Sequence, residues 1–235
     1  MGASNILITG ASSGLGKAMA QKLEDDGHFV IKFDLKDEHD VRDANSITRF
    51  RDKISGIGGV DIDVLINNAG VNIIDWLENF DEEQWDEVMN VNAKGIYLMS
   101  REFLPSLMRT KGTILNIVSN AAHMPMTCSL AYNASKGAAH IMTLQMAREL
   151  TKNYGITVFG IAPNKLSGTG MSNSIDQQVV KTRGWTEEYA KEYQLNGLLT
   201  GEETPPELLA EFIAYLLKTK QNHKYLSGCI LPYGA

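Results

Sequence analysis

Short apolar runs alternate with longer amphipathic stretches along almost the whole chain. The runs are Asn5–Thr9, Phe29–Phe33, Val64–Ile66, Thr113–Val118, Ile156–Ile161 and Cys229–Leu231. Each is too short for a stable helix, and several stop at Gly, Asn or Asp, which predicts buried strands. Between them, Gly14–Glu24 places Leu15, Ala18, Met19 and Leu23 on one helical face, and Asp43–Ile54 begins at an Asp that can cap a helix. Asp81–Arg109, Tyr132–Asn153 and Pro206–Leu217 also read as helices. Residues 164–204 are irregular and polar, with two short helices. Strands alternating with helices predict an α/β fold: a three-layer, doubly wound, mostly parallel sheet covered on both faces, with right-handed crossovers. No repeat, low-complexity stretch or long linker divides the chain, so one domain is expected over 1–235.

The 235 residues are 43% hydrophobic and 21% charged, ordinary for a globular protein. A net charge of −6 gives no basic stripe for a nucleic acid. No apolar run reaches the length of a membrane span, and the first residues lack the features of a secretory signal. Cys128 and Cys229 have no redox or metal-binding spacing and read as free thiols of a reducing cytoplasm. A cytoplasmic location is therefore expected. None of His28, His39, His123, His140 and His223 is spaced as a metal ligand, so no metal is expected.

The turn Thr9-Gly10-Ala11-Ser12-Ser13-Gly14-Leu15-Gly16 joins the first strand to the first helix. Glycines at 10, 14 and 16 let the chain bend sharply and let a pyrophosphate approach the backbone. The helix that follows offers unpaired N–H groups and the positive end of its dipole, and the hydroxyls of Ser12 and Ser13 add donors. No Lys-Ser/Thr pair ends the turn, which argues against a nucleoside triphosphatase. Asp34 closes the second strand, about 20 residues past the turn, where an acidic side chain receives the adenosine ribose hydroxyls. A carboxylate there repels a 2′-phosphate, so NAD is expected in preference to NADP; Lys36 nearby softens that discrimination.

Tyr132 and Lys136 lie four residues apart, on one face of a helix. A phenol with a pKa near 10 is a poor acid–base group at neutral pH, and a neighbouring ammonium lowers that value. Tyr132 can then exchange a proton with a ketone or alcohol oxygen. Ser119 follows the Thr113–Val118 strand at an end of the sheet where ligands bind, and can hold the reacting oxygen.

TGASSGLG at 9–16, DV at 40–41, NNAG at 67–70, Asn92 in NVNAKG, Ser119 and YNASK at 132–136 occur in one order over nearly the whole chain. Together they resemble the short-chain dehydrogenase/reductase family, in its compact form. The resemblance implies a Rossmann-type sheet of about seven strands, a homotetramer or dimer, and hydride transfer between NAD(P) and a small secondary alcohol or ketone. It implies that Tyr132 is the acid–base, that Lys136 lowers its pKa and binds the nicotinamide ribose, and that Ser119 orients the substrate. Asn92 would hold a water in a proton relay. The cofactor would lie along Gly10, Ser12, Ser13, Gly14, Leu15 and Gly16. Asp40 would meet the adenine amine, with Val41 packed nearby, and Asn67, Ala69 and Gly70 would line the adenine–ribose side. The backbone of Leu166 would meet the nicotinamide carboxamide, and Pro163 would also border the cofactor. The family's Pro-Gly-x-aliphatic-x-Thr pattern is altered: Asn164 stands for the Gly, expected at positive φ, and Gly168 takes the Thr position, with Thr169 one residue later.

Residues 164–204, with Trp185, Tyr189 and Tyr193, are expected to form a substrate lid. His123, just past Ser119, is a candidate to face the substrate, and Met124, Met126 and Met171 are candidates for an adaptable pocket. Apolar residues on more than one face of helices 93–109 and 132–153 suit a subunit contact. Two rivals share the fold. A nucleotide-sugar epimerase or dehydratase generally needs a larger C-terminal domain. A cofactor-binding regulatory or scaffold protein without activity has no need of the Asn, Ser, Tyr and Lys set.

Overall fold

A computed structural model describes residues 3–56, 60–218 and 223–234. Met1 and Gly2 of the N-terminal stretch lie outside the described residues. The order is β1 (Asn5–Thr9), α1 (Gly14–Asp25), β2 (Phe29–Phe33), α2 (Ala44–Gly56), β3 (Val64–Asn67), α3 (Glu82–Met89), α4 (Gly95–Thr110), β4 (Thr113–Ile117), α5 (Leu130–Tyr154), β5 (Thr157–Pro163), α6 (Gly170–Arg183), α7 (Glu187–Asn196), α8 (Pro206–Leu217) and β6 (Ile230–Tyr233). The strands form one parallel sheet in the order β2-β1-β3-β4-β5-β6. The order reverses at β1, which feeds β2 on one side and lies beside β3 on the other, so a crevice opens beyond the C-terminal ends of these strands.

Alternation along the strands builds the two cores. Ile6, Ile8, Ile66, Leu115 and Phe159 point to the face covered by α1 and α8, where Leu15, Met19, Leu23, Leu209 and Ile213 pack on them. Leu7, Leu65, Ile114 and Val158 point to the other face, against Phe50, Phe103, Leu107 and Leu150 of α2, α4 and α5. Side chains of both clusters are almost wholly out of water, the dominant stabilising contribution in such a sheet.

Three expectations change. The sheet has six strands among the described residues instead of about seven. After β2 the chain turns through a short 3₁₀ segment, Leu35–Asp37, and Asp43 caps α2 at once by accepting from Asn45 N–H, which leaves no strand between β2 and α2. The single helix expected over Asp81–Arg109 is two helices joined by a π-type turn, Asn90–Lys94. The region 164–204 carries two full helices of 14 and 10 residues, capped by Thr169 and Thr186.

Candidate active site

The glycine turn sits at the reversal point. Gly10 and Gly14 have φ of 66° and 49°, a region that favours glycine. A Cβ at Gly16 would lie 2.0 Å from the Gly10 carbonyl oxygen, so only hydrogen fits there. Ser13 opens α1 in extended conformation with no side-chain cap, leaving the first N–H groups of the helix directed into the crevice. Ser12 N–H donates to Asp34 at 2.8 Å, which brings that carboxylate from the end of β2 to the turn. Leu15 contributes backbone only, since its side chain belongs to the core.

Two residues not singled out from the sequence hold this turn. Asn68 donates from its side-chain amide to the carbonyls of Thr9 and Gly10, at 2.9 and 3.1 Å. The Thr9 hydroxyl accepts from the N–H groups of Asn68 and Ala69, at 2.9 and 3.0 Å. Asn67 turns inward instead: its buried amide donates to Asn116 at 2.8 Å, and Asn116 donates to Thr143 on α5. Val41, Asn67 and Ala69 nonetheless border one small cleft together with Val91 and Gly95. Asp40 is engaged by Arg42, whose Nε lies 2.9 Å from its carboxylate. Burial pushes the Asp40 carboxyl up, but the hydrogen bonds and charge of Arg42 prevail and hold it below its ordinary range.

The acid–base group lies in the first turn of α5. Tyr132 is partly buried, and Ser119, just past β4, stands near enough to act on its phenol. Burial pushes the phenol above its ordinary value and Ser119 opposes this. The lowering expected from Lys136 is not among the influences on this phenol, whose value is set by burial and Ser119. Lys136 Nζ stands 5.7 Å from the centre of the Tyr132 ring and donates to the Ile117 carbonyl at 2.9 Å. Lys136 is itself almost fully buried, and burial lowers its pKa to about 8.

Asn92 occupies the π-type turn with no exposed surface. Its side chain accepts from Val71 N–H at 2.9 Å, and donates to Val71 O at 2.9 Å and Ser135 Oγ at 3.0 Å. Ser135 donates on to the Tyr132 carbonyl at 2.8 Å. A Cβ at Gly70 would come 3.4 Å from Asn92 Oδ1 and 3.8 Å from Lys136 Nζ, so Gly70 borders both. Asn133, also missed in the sequence, donates to the carbonyls of Ala121 and Met124 and fixes the loop behind Ser119. His123 packs edge-on against His140 of α5, with ring centres 4.4 Å apart.

On the far side, Asn164 does not adopt positive φ; Gly168 does, at 63°. Leu166 and Ser167 pair with Thr204, and that short parallel bridge moves the bend downstream. Thr169 then caps α6 by accepting from Ser172 N–H, and its side chain lies 3.4 Å from where a Cβ on Gly14 would be. The start of α6 thus lies beside the glycine turn. Gln178 accepts from Ile74 N–H, Trp76 donates its indole N–H to Thr182 O, and Arg183 donates to Thr127 O, tying α6 to the loops after β3 and β4. Among the described residues, no three His, Cys, Asp or Glu side chains gather as a metal site, and no helix is long and apolar enough to cross a membrane.

An open parallel sheet with a glycine turn at its reversal point, and a Tyr–Lys pair one helical turn apart beside it, defines a dinucleotide-dependent α/β oxidoreductase. The sequence profile of the short chain dehydrogenase family matches residues 37–180. The chain belongs to that family and is an NAD(P)-dependent oxidoreductase acting on CH–OH and C=O groups. It is 29% identical over a 247-residue alignment to sorbitol-6-phosphate 2-dehydrogenase of Klebsiella pneumoniae, covering 95% of this chain and 91% of that one. It is 33% identical over 176 residues to the NAD-dependent glycerol dehydrogenase of Listeria innocua, covering 67% and 68%. Among solved structures, levodione reductase superposes with a TM-score of 0.87 at 21% identity, over 100% of this chain and 97% of that one. A short chain dehydrogenase family protein of Francisella tularensis gives a TM-score of 0.83 at 25% identity, over 98% and 96%.

Proposed function

We propose that this protein interconverts a small secondary alcohol and the matching ketone, with Tyr132 exchanging the proton and NAD preferred over NADP. The observation that carries this reading is the convergence of Tyr132, Ser119 and Lys136 at the C-terminal end of β4, beside the glycine turn. The turn fits a dinucleotide: its backbone is bare where a Cβ at Gly16 would collide, and the free N-terminus of α1 suits a pyrophosphate. Gly10, Ser12, Ser13, Gly14, Leu15 and Gly16 would hold that group through backbone and hydroxyl donors. Asp34 would receive the adenosine ribose, and its negative charge disfavours a 2′-phosphate. Asp40, Val41, Ala69 and Gly70 would border the adenosine half, and Pro163 and Leu166 the nicotinamide half. The bound nicotinamide supplies or takes up the hydride.

The chain's own residues do the rest. Burial keeps the Tyr132 phenol protonated at neutral pH, the form that donates to a ketone oxygen. Ser119 holds that oxygen beside the phenol and stabilises the charge that develops on it. In the oxidation direction Lys136, when protonated, favours the phenolate that accepts the alcohol proton. Asn92 keeps the first turn of α5 aligned through Ser135. The protein is read as a homo-oligomer, supported by Tyr97 of α4 and Leu130 and Ile141 of α5, apolar side chains turned to the surface, and as cytoplasmic from its two free cysteines.

The test follows absorbance of reduced nicotinamide with a panel of ketones and secondary alcohols. Tyr132→Phe should lower kcat/KM by about 1000-fold or more while the cofactor Kd stays within about threefold. Full turnover by that variant discards the mechanism. Cofactor binding without turnover by the unaltered protein favours a regulatory binder.

A further inference from the structure

Lys165 stands two residues past the end of β5, within the altered segment of the family pattern, and its side chain is only 12% exposed. A mostly buried cation needs its charge matched, and three elements distant in sequence match it. Its Nζ lies 2.5 Å from Asp176 of α6, 2.6 Å from Gln194 of α7 and 2.9 Å from Glu203. Gln194 closes the cluster by donating to the same Asp176 oxygen at 3.0 Å. The neighbouring backbone is pinned too, since Thr204 N–H donates to Lys165 O at 3.0 Å and Ser167 N–H to Thr204 O at 2.9 Å. One ammonium therefore joins both lid helices and the segment behind them to the strand end beside the nicotinamide position.

We propose that Lys165 is a positioning residue that sets how closely the α6–α7 lid closes over Tyr132. The argument is electrostatic. Asp176 and Glu203 both reach the same nitrogen, so without it two carboxylates, that of Glu203 mostly buried and that of Asp176 about half exposed, face each other with no cation between them and drive α6 and the 203 segment apart. The opposite edge of α6, bonded to Ile74, Trp76 and Thr127, would then be the hinge about which the lid loosens. Substrate capture suffers more than proton transfer, because neither Tyr132 nor Ser119 touches the cluster.

The inference rests on the dehydrogenase reading only for its kinetic arm. Amide hydrogen exchange on the whole protein should show α6 and α7 exchanging about tenfold faster in Lys165→Met, with β1–β4 unchanged. In the same variant the substrate KM should rise about tenfold with kcat within about threefold, and Lys165→Arg should recover most of the loss. Glu203→Gln, a milder change, should move both readouts in the same direction and decides the matter if Lys165→Met does not fold. Lid exchange within about twofold of the unaltered protein, or a loosened lid with unchanged KM, overturns the proposal. Absence of any alcohol or ketone turnover in the unaltered protein overturns the dehydrogenase reading and the substrate role with it. The exchange arm still accepts or rejects Lys165 as the lid's anchor.

Discussion

Asn92 and Ser135 meet side chain to side chain at 3.0 Å, joining the π-type turn to the helix that carries Tyr132. Asn92 also accepts from and donates to Val71, so one buried amide fixes three segments. Asn92→Ala takes the side-chain partner from both the N–H and the carbonyl of the half-buried Val71, while Ser135 keeps its bond to the Tyr132 carbonyl, at a cost of about 2 kcal/mol. Denaturant unfolding should show that loss, and kcat/KM should fall at least about tenfold as the first turn of α5 loses its alignment. Unchanged stability would remove Asn92 from this role.

Gly16 and Gly137 make opposite predictions for the same substitution. At Gly16 the new methyl lies 2.0 Å from a backbone oxygen, so Gly16→Ala should destabilise by about 3 kcal/mol and weaken cofactor binding at least about tenfold. At Gly137, in the interior of α5, nothing lies within 4 Å, and Gly137→Ala should stabilise by about 0.5–1 kcal/mol. Thermal melts of the two variants, with cofactor titration of each, check both signs.

Asp34 reaches the turn through Ser12 N–H at 2.8 Å, and on the proposed reading its negative charge would repel a 2′-phosphate. Asp34→Ser should raise the NADP/NAD ratio of kcat/KM by about tenfold or more, chiefly by relieving repulsion. Measuring both cofactors on the unaltered protein and the variant decides it. A variant still as selective for NAD would place the discrimination elsewhere.

Lys136 sets a pH dependence of stability. Its folded pKa of about 8 lies below the ordinary lysine value of 10.5, so between them the unfolded chain binds the extra proton. Stability attributable to this group therefore rises with pH through that window, and its burial costs about 3 kcal/mol below pH 8. Lys136→Met also gives up the hydrogen bond to Ile117 O, which offsets part of the gain. The variant should unfold at higher urea than the unaltered protein at pH 7, and the gap should shrink near pH 10. A gap that ignores pH would contradict the burial argument.

The sheet was legible because its signals are local. Each strand is a short apolar run, and the bend at residues 9–16 carries its own glycines. The Tyr–Lys pair was legible because four residues of spacing always share a helical face. The break at Asn90–Lys94 was not, because apolar residues continue on both sides and the change lies in backbone hydrogen bonding. Nor was the clamp from Asn68 to Thr9 and Gly10, whose partners belong to different strands of the sheet. Asn164 is by residue type the natural one for positive φ, yet the bend falls at Gly168 beyond the pairing of Leu166 with Thr204, and no neighbour of Asn164 announces it. The aromatic trio of residues 164–204 could be named from the sequence, and its rings do meet, the ring centre of Trp185 lying 4.9 Å from those of both Tyr189 and Tyr193.

The contact between Gly14 and Thr169 also constrains how the chain can vary in length. Residues added between Leu166 and Thr169 would lift the start of α6 off the bend it rests on, so that stretch has a fixed span. Residues added just after Leu199 meet no such limit, since that side chain projects almost wholly into solvent, whereas Glu203 and Thr204 are held by Lys165 and Leu166. The 164–204 region therefore has room to lengthen near Leu199 and none where α6 begins.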